Sequence, residues 1–189
     1  MIAFNQEIIL ASASPRRADL LDQIGVKYTV QATDINEDSL SNEPPENLVQ
    51  RLAKEKSQAL GETIQVPVLG ADTLGVLDGE LLVKPRDFDH AHAMLSSMSS
   101  RWHEILSAVA ISYKGNTLVK LNRNRVLFRS LSDDEIKAYW DTGEPQDKAG
   151  AYAIQGLAAP FIERIEGSYS GIMGLPLFET AMLLKTIKK

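Results

Sequence analysis

Ser12, Ser14, Pro15, Arg16 and Arg17 stand within six consecutive positions, directly behind the apolar stretch Ile8 to Leu10. The apolar stretch reads as a strand. Ser14 is a good N-cap, and Pro15 fits the first turn of a helix, where its missing N–H is no loss. A helix starting near Pro15 aims unpaired backbone N–H groups, the positive end of its dipole and two guanidinium forks at one point, and a phosphate suits that point. The same residues also suit an ordinary capped helix with solvated arginines, so the segment needs partners elsewhere in the chain.

Three further positions supply candidates. Pro44 and Pro45 open a second helix, predicted from about Glu46 to Leu60, whose apolar stripe is Leu48, Val49, Leu52, Ala53, Ala59 and Leu60. Lys56 falls on that stripe, whereas Lys54 does not, and Arg51 and Glu55 lie off it or at its edge. An inward lysine either snorkels to water or meets an anion or a carboxylate. Asp72 follows a buried strand, Val66 to Leu69, and Lys84 follows the return of a hairpin that turns at Asp78-Gly79. If Asp72 ends its strand and Lys84 ends the returning one, the two charges meet at one end of the sheet and offset each other's burial. Asp34 to Asp38 reads as an acidic loop. From Asp147 to Gly156 small residues predict a loop and strand along which backbone can approach a ligand closely. His90 and His92 are two apart and share no helix face, so they predict no zinc pair, and His103 is not needed by this chemistry.

The elements around these positions follow from pattern. Lys27 to Gln31 predicts a short strand and Asp87 to Ser97 a helix capped by Asp87. Glu104 to Ser112 and Leu118 to Phe128 predict strands around a turn at Lys114-Gly115-Asn116. Arg123, Arg125 and Arg129 share one face of the second strand and read as solvated. Ser132 to Glu135 is a capping box before a short helix ending near Gly143. Gly174 to Leu177 leads into a C-terminal helix ending in basic residues, as the dipole prefers. Helices and strands alternate first and strands cluster later, which predicts an α/β fold with a mixed sheet. No repeat, low-complexity stretch or linker interrupts the chain, so residues 1–189 read as one domain.

Composition narrows the function classes. A chain of 189 residues with 44% hydrophobic and 24% charged content can bury a core without disulfides or a structural metal. Its net charge of −5 argues against a broad nucleic-acid surface, so the arginines must act locally. The absence of cysteine excludes disulfides and thiolate metal sites. No run approaches membrane-spanning length and no basic, apolar leader opens the chain, which predicts a cytoplasmic protein that does not bind membranes.

Taken in order, Leu10 to Arg17, Arg51 to Lys56, Gly70 to Thr73, Lys84 to Asp87, Asp147 to Gly150, Ile154 to Gly156 and Gly174 to Leu177 resemble the Maf family of nucleoside triphosphate pyrophosphatases. The resemblance implies an α/β, ITPase-like fold, with a mixed sheet flanked by helices and two lobes around a central cleft. It implies hydrolysis of non-standard or surplus nucleoside triphosphates to the monophosphate and pyrophosphate with a divalent metal, Mg²⁺ or Mn²⁺. By position, it implies that Asp72 is the proton acceptor and a metal ligand, with Glu37 as second ligand. Lys56, Lys84 and Arg17, with Ser12 and Ser14 of the serine-rich turn, would bind the phosphates.

Arg16, Thr73 and Gln155 resemble the trio of the dTTP/UTP-selective branch; the branch acting on 7-methyl-GTP carries tryptophan, glutamine and glutamate at those places. A thymine or uracil ring fits this trio, because Gln155 offers a donor and an acceptor to its imide edge and Thr73 a hydroxyl. Asn36 departs from the family's frequent second acid, Ser107 and Gly171 from its frequent threonine and larger polar residue. A homodimer is expected by base rate alone. A second reading keeps the nucleotide but not the chemistry, as a non-catalytic regulator of cell division. Carboxylates beside a polyanion favour the enzyme, since a pure binder has less reason to place them there.

Overall fold

The computed structural model describes residues 7–61 and 65–187. Seven strands form one mixed sheet: β1 (Ile8–Leu10), β2 (Tyr28–Val30), β3 (Val68–Leu77), β4 (Glu80–Leu82), β5 (Trp102–Tyr113), β6 (Asn116–Phe128) and β7 (Ile162–Glu166), in the order β2-β1-β3-β5-β6-β7 with β4 also on β3. β1 pairs in parallel with β2 and β3, and every other pairing is antiparallel. Six α-helices join them: α1 (Pro15–Gln23), α2 (Pro45–Gln58), α3 (Phe88–Met98), α4 (Asp133–Asp141), α5 (Tyr169–Met173) and α6 (Leu177–Thr186).

Alternation along β3 and β5 sorts the helices by face. Ala108 and Ala110 of β5 pack with Val49 and Ala53 of α2 on one side. On the other, Leu69, Ala71, Val109 and Ile111 pack with Leu20 and Leu21 of α1 and Leu183 and Leu184 of α6. Further along that second face, Ile105, Val126 and Phe128 join a core made with α3 and α4. Two cores therefore share one face of one sheet, the first reaching Val109 and the second starting at Ile105. Ser107 lies in the gap between them. These are the two lobes and the cleft that the resemblance implies.

β3 makes the cleft possible. It pairs with β5 from Val68 to Val76, but on its other side it meets β1 only at Val68 and Leu69 and β4 only from Gly75. From Gly70 to Leu74 that edge carries no strand among the described residues. Asp72 is thus in the middle of a long strand, not at the end of one, and it pairs with Lys56 instead of Lys84. The hairpin does turn where predicted: Asp78 and Gly79 both take the left-handed backbone that a two-residue turn requires.

Several elements differ from expectation. β5 and β6 run longer than predicted, because the tight turn at Lys114-Gly115, both left-handed, lets pairing extend to Tyr113 and Asn116. Ala59 is exposed and α2 ends at Gln58, so its stripe stops earlier. Residues 147–156 form no strand: 3₁₀ turns at Glu144–Asp147 and Ala149–Ala151 and further turns replace it, with Gly150 and Ala151 left-handed. Ser14 sits at the N-cap of α1 but its side chain caps nothing, whereas Asp87 and the Ser132/Glu135 box cap as expected. Arg123, Arg125 and Arg129 are ion-paired to Glu46, Glu166 and Glu135, and a register shift beyond Leu127 takes Arg129 out of the strand. Lys185 lies in the last turn of α6; Lys188 and Lys189 fall outside the described residues. β7 and α5 had no clear sequence signal.

Gly70 sets the depth of α2. A Cβ there would strike the backbone oxygen of Ala53 and the backbone nitrogen of Ser57, so helix and strand touch main chain to main chain. Gly70→Ala should therefore lower unfolding free energy by about 1–3 kcal/mol, the usual cost of overpacking, read from urea denaturation. His103 belongs to the α3/α4 core, edge-on to Phe128 and Tyr152, with Nε2 2.7 Å from the Tyr152 hydroxyl. Burial lowers its pKa from 6.5 to about 4. The neutral ring is the folded form, so its stabilising effect is complete above the unfolded value and lost as pH falls through the folded one. Wild type should lose about 3 kcal/mol between pH 6.5 and pH 4 from this group, and His103→Phe should lack that component in denaturation measured across pH.

Candidate active site

A cavity of about 480 Å³ fills the cleft and reaches round the open edge of β3, so that Asp72 and Thr73, which point to opposite faces, both line it. Ser14, Arg16, Arg17, Glu37, Lys84 and Gln155 line it as well. Eight of the predicted site residues therefore share one space. Lys56 and Ser12 stand behind its wall and act through bonds to wall residues.

Lys56 is buried on α2, and its Nζ donates to Asp72 Oδ1 at 2.7 Å and lies 2.6 Å from Glu37 Oε1. Of the two environments open to an inward lysine, the carboxylate one is realised. Burial pushes the Glu37 carboxyl up, but the hydrogen bond and charge of Lys56, with Lys84 and Arg17 beyond, hold it below the ordinary glutamate value. Asn36, where a second acid was expected, accepts from the Asp38 backbone N–H at 2.9 Å in a local turn. Arg51 fixes the far end of this loop, donating to the Asp38 carbonyl and to both oxygens of Glu43. Sequence reading placed Arg51 off the apolar stripe or at its edge and gave it no task.

Arg17 is oriented from two sides. Its Nε donates to the Gly174 carbonyl and its Nη1 to Ser12 Oγ, both at 2.9 Å, while Ser12 Oγ also accepts from the Ser14 backbone N–H. Burial lowers the pKa of the guanidinium and the neighbouring charge of Arg16 lowers it further, while the carboxylates of Asp72 and Glu37 pull the other way. Its Nη2 has no hydrogen-bond partner among the described residues. Lys84 is exposed just past β4, and the Gly150 N–H bonds to the Val83 carbonyl, tying the 3₁₀ turn to the chain that carries it. Thr73 Oγ1 lies 2.9 Å from Ser107 Oγ, which donates to the Gly171 carbonyl at 2.6 Å. Gln155 sits exposed at the rim, and Glu144 braces its loop by accepting from the Leu157 N–H.

Sequence reading missed Lys148, Asp147 and the apolar wall of Ile105, Tyr152, Ile154, Ile172 and Met173. Asp147 is ion-paired with Lys148, which holds its carboxyl below the ordinary value. The signal for this pair was the Asp147 to Gly150 block itself. The cavity thus joins a cationic end, with Arg16, Arg17 and Lys84, to an apolar wall with polar groups at Thr73 and Gln155. A phosphorylated ring compound matches that division.

No group of three or more histidine, aspartate or glutamate residues is placed to hold a metal alone among the described residues. Asp72 and Glu37 nevertheless fit a hard cation, because both line the cavity and converge on one Nζ behind its wall, and two carboxylates completed by water and phosphate oxygens suit Mg²⁺.

The model of a family described as Maf-like protein matches residues 7–187. A protein of Methylobacillus flagellatus named dTTP/UTP pyrophosphatase is 54% identical over 181 residues, 94% of this chain and 91% of its own length. One of the same name from Hahella chejuensis is 49% identical over 184 residues, 95% and 92% of the two chains. The solved structure of a HAM1 protein from Coxiella burnetii is similar in fold, with a TM-score of 0.52 at 15% identity over 96% of this chain and 99% of that one.

Lys56 and Asp72 should show a strong coupling. Lys56→Met leaves a buried carboxylate unpaired and should cost about 3–5 kcal/mol of stability, whereas the same change in an Asp72→Asn background should cost much less. Chemical denaturation of the four proteins gives the coupling directly.

Proposed function

The chain belongs to the Maf family, and from that premise we propose that it hydrolyses dTTP and UTP to the nucleoside monophosphate and pyrophosphate, removing surplus or modified pyrimidine nucleotides. The carrying observation is the single cavity in which a cationic helix start, the Lys56-bridged carboxylates and the Arg16, Thr73 and Gln155 trio all meet.

Cleavage between the α and β phosphorus needs a placed water, a neutralised triphosphate and a stabilised leaving group. Asp72 has one oxygen committed to Lys56, and its Oδ2 has no partner among the described residues, so that atom orients or deprotonates the water. Arg17, pinned through Nε and Nη1, presents Nη2 to the phosphates, and Arg16 and Lys84 add charge on either side. The N–H groups at the start of α1 face the same anion. Lys56 holds Asp72 and Glu37 next to each other through one bond to each. Mg²⁺ or Mn²⁺ bound by Asp72 and Glu37 would polarise a phosphoryl oxygen and neutralise developing charge. Ile105, Ile154 and Ile172 seat the ring while Gln155 meets its imide edge. Such a substrate belongs to the cytoplasm, and no helix of the described residues is long and apolar enough to cross a membrane.

Pyrophosphate release from dTTP, UTP, CTP and 7-methyl-GTP with Mg²⁺ should favour dTTP and UTP; preferred turnover of 7-methyl-GTP overturns the base assignment, and saturable binding without turnover supports the non-catalytic regulator. Asp72→Asn should bind dTTP but lose roughly 10²–10⁴ in kcat, and near-normal turnover in the folded variant removes Asp72 from the chemistry.

A further inference from the structure

The hydroxyl chain behind Thr73 has a fixed direction. A backbone carbonyl only accepts, so the short bond from Ser107 Oγ to the Gly171 oxygen uses the one proton that Ser107 has. Ser107 Oγ must then accept in its 2.9 Å contact with Thr73 Oγ1, and the Thr73 proton is committed to Ser107. What remains on Thr73 Oγ1, towards the cavity, is lone pairs.

The surroundings hold this arrangement in place. Ser107 is fully buried and stands directly opposite Thr73 in the β3/β5 register. Gly171 is fixed as well, because its N–H bonds to Ser168 Oγ, its carbonyl also receives the Gly174 N–H, and a Cβ on it would strike the Asn122 side chain. Neither hydroxyl is free to turn its proton into the cavity without breaking a buried bond.

We infer that Ser107 is a positioning residue that makes Thr73 an obligate hydrogen-bond acceptor, so that the site selects a pyrimidine whose ring nitrogen N3 carries a hydrogen. This rests on the proposed pyrophosphatase reading and adds to it the atom that discriminates. Uracil and thymine present N3–H as a donor between two carbonyls. Cytosine presents a lone pair at N3, so two acceptors would face each other with no proton between them. Gln155 can turn its amide to suit either ring, because donor and acceptor exchange by a flip. Thr73, locked by Ser107, has no such freedom.

The test compares kcat/KM for UTP and CTP in wild type, Ser107→Ala, Ser107→Thr and Thr73→Val, with thermal unfolding to establish that each is folded. Wild type should prefer UTP. Ser107→Ala frees the Thr73 proton and should reduce the UTP/CTP ratio roughly tenfold, the worth of one neutral hydrogen bond, mainly through KM. Ser107→Thr keeps the hydroxyl and should keep the ratio. Thr73→Val removes the acceptor and should lose a similar factor on UTP alone; it decides the matter if Ser107→Ala does not fold. Equal loss on both substrates in Ser107→Ala, or an unchanged ratio in Thr73→Val, overturns the inference and leaves the pyrophosphatase reading intact. So does a wild type that hydrolyses UTP and CTP equally well. A folded wild type that hydrolyses no triphosphate overturns both.

Discussion

The ammonium of Lys56 is the interaction on which the site rests. Two carboxylates at the wall of a cleft that must accept a polyanion repel each other and the guest. Bonding both to a single buried cation offsets that repulsion and holds them close. Lys56 reaches them only because α2 lies unusually deep against β3, and it does so because residue 70 has no side chain. The acidic loop must also come to the helix, and Arg51, one turn earlier on α2, clamps it there. A glycine, a lysine and an arginine on two neighbouring elements thus define where Glu37 and Asp72 stand.

Much of this was legible in the residues, for identifiable reasons. The Pro15 start of α1, the Asp78-Gly79 turn, the Asp87 cap and the Ser132/Glu135 box are local signals, decided within a few positions. The inward face of Lys56 was readable because helical periodicity is strict. Its partner was not. Pairing Asp72 with Lys84 assumed that β3 stops at Asp72, and nothing local tells a strand that ends from one that continues past an aspartate. Asp72 tolerates mid-strand burial only because Lys56 arrives from a helix 16 residues earlier, a contact made by packing. Gly156 and Gly171 were similar: each leaves room for a distant side chain, Glu144 or Asn122, that a window along the chain does not contain.

α5 shows how little sequence signal a structurally central element can need. It has five residues, too few for periodicity to register, yet its Ile172 packs in the α3/α4 core and Met173 touches both cores. The Gly171 carbonyl and, just past its end, the Gly174 carbonyl receive Ser107 and Arg17 respectively. One short turn therefore orients both Arg17 and the Ser107 partner of Thr73, so under the proposed function base recognition and charge recognition depend on the same backbone.

The uncovered edge of β3 has a further consequence for the protein's behaviour in a crowded solution. An exposed strand margin ordinarily invites a foreign chain to add on and seed fibrils. Here the bare stretch is only five residues, recessed between β1 and β4 and overlooked by Arg16, Arg17 and Lys84. A notch this short leaves space for a small anion but offers an added strand no more than five residues of pairing. The opening that admits the guest is thereby too short to act as a long pairing template, with no additional strand needed to cover it.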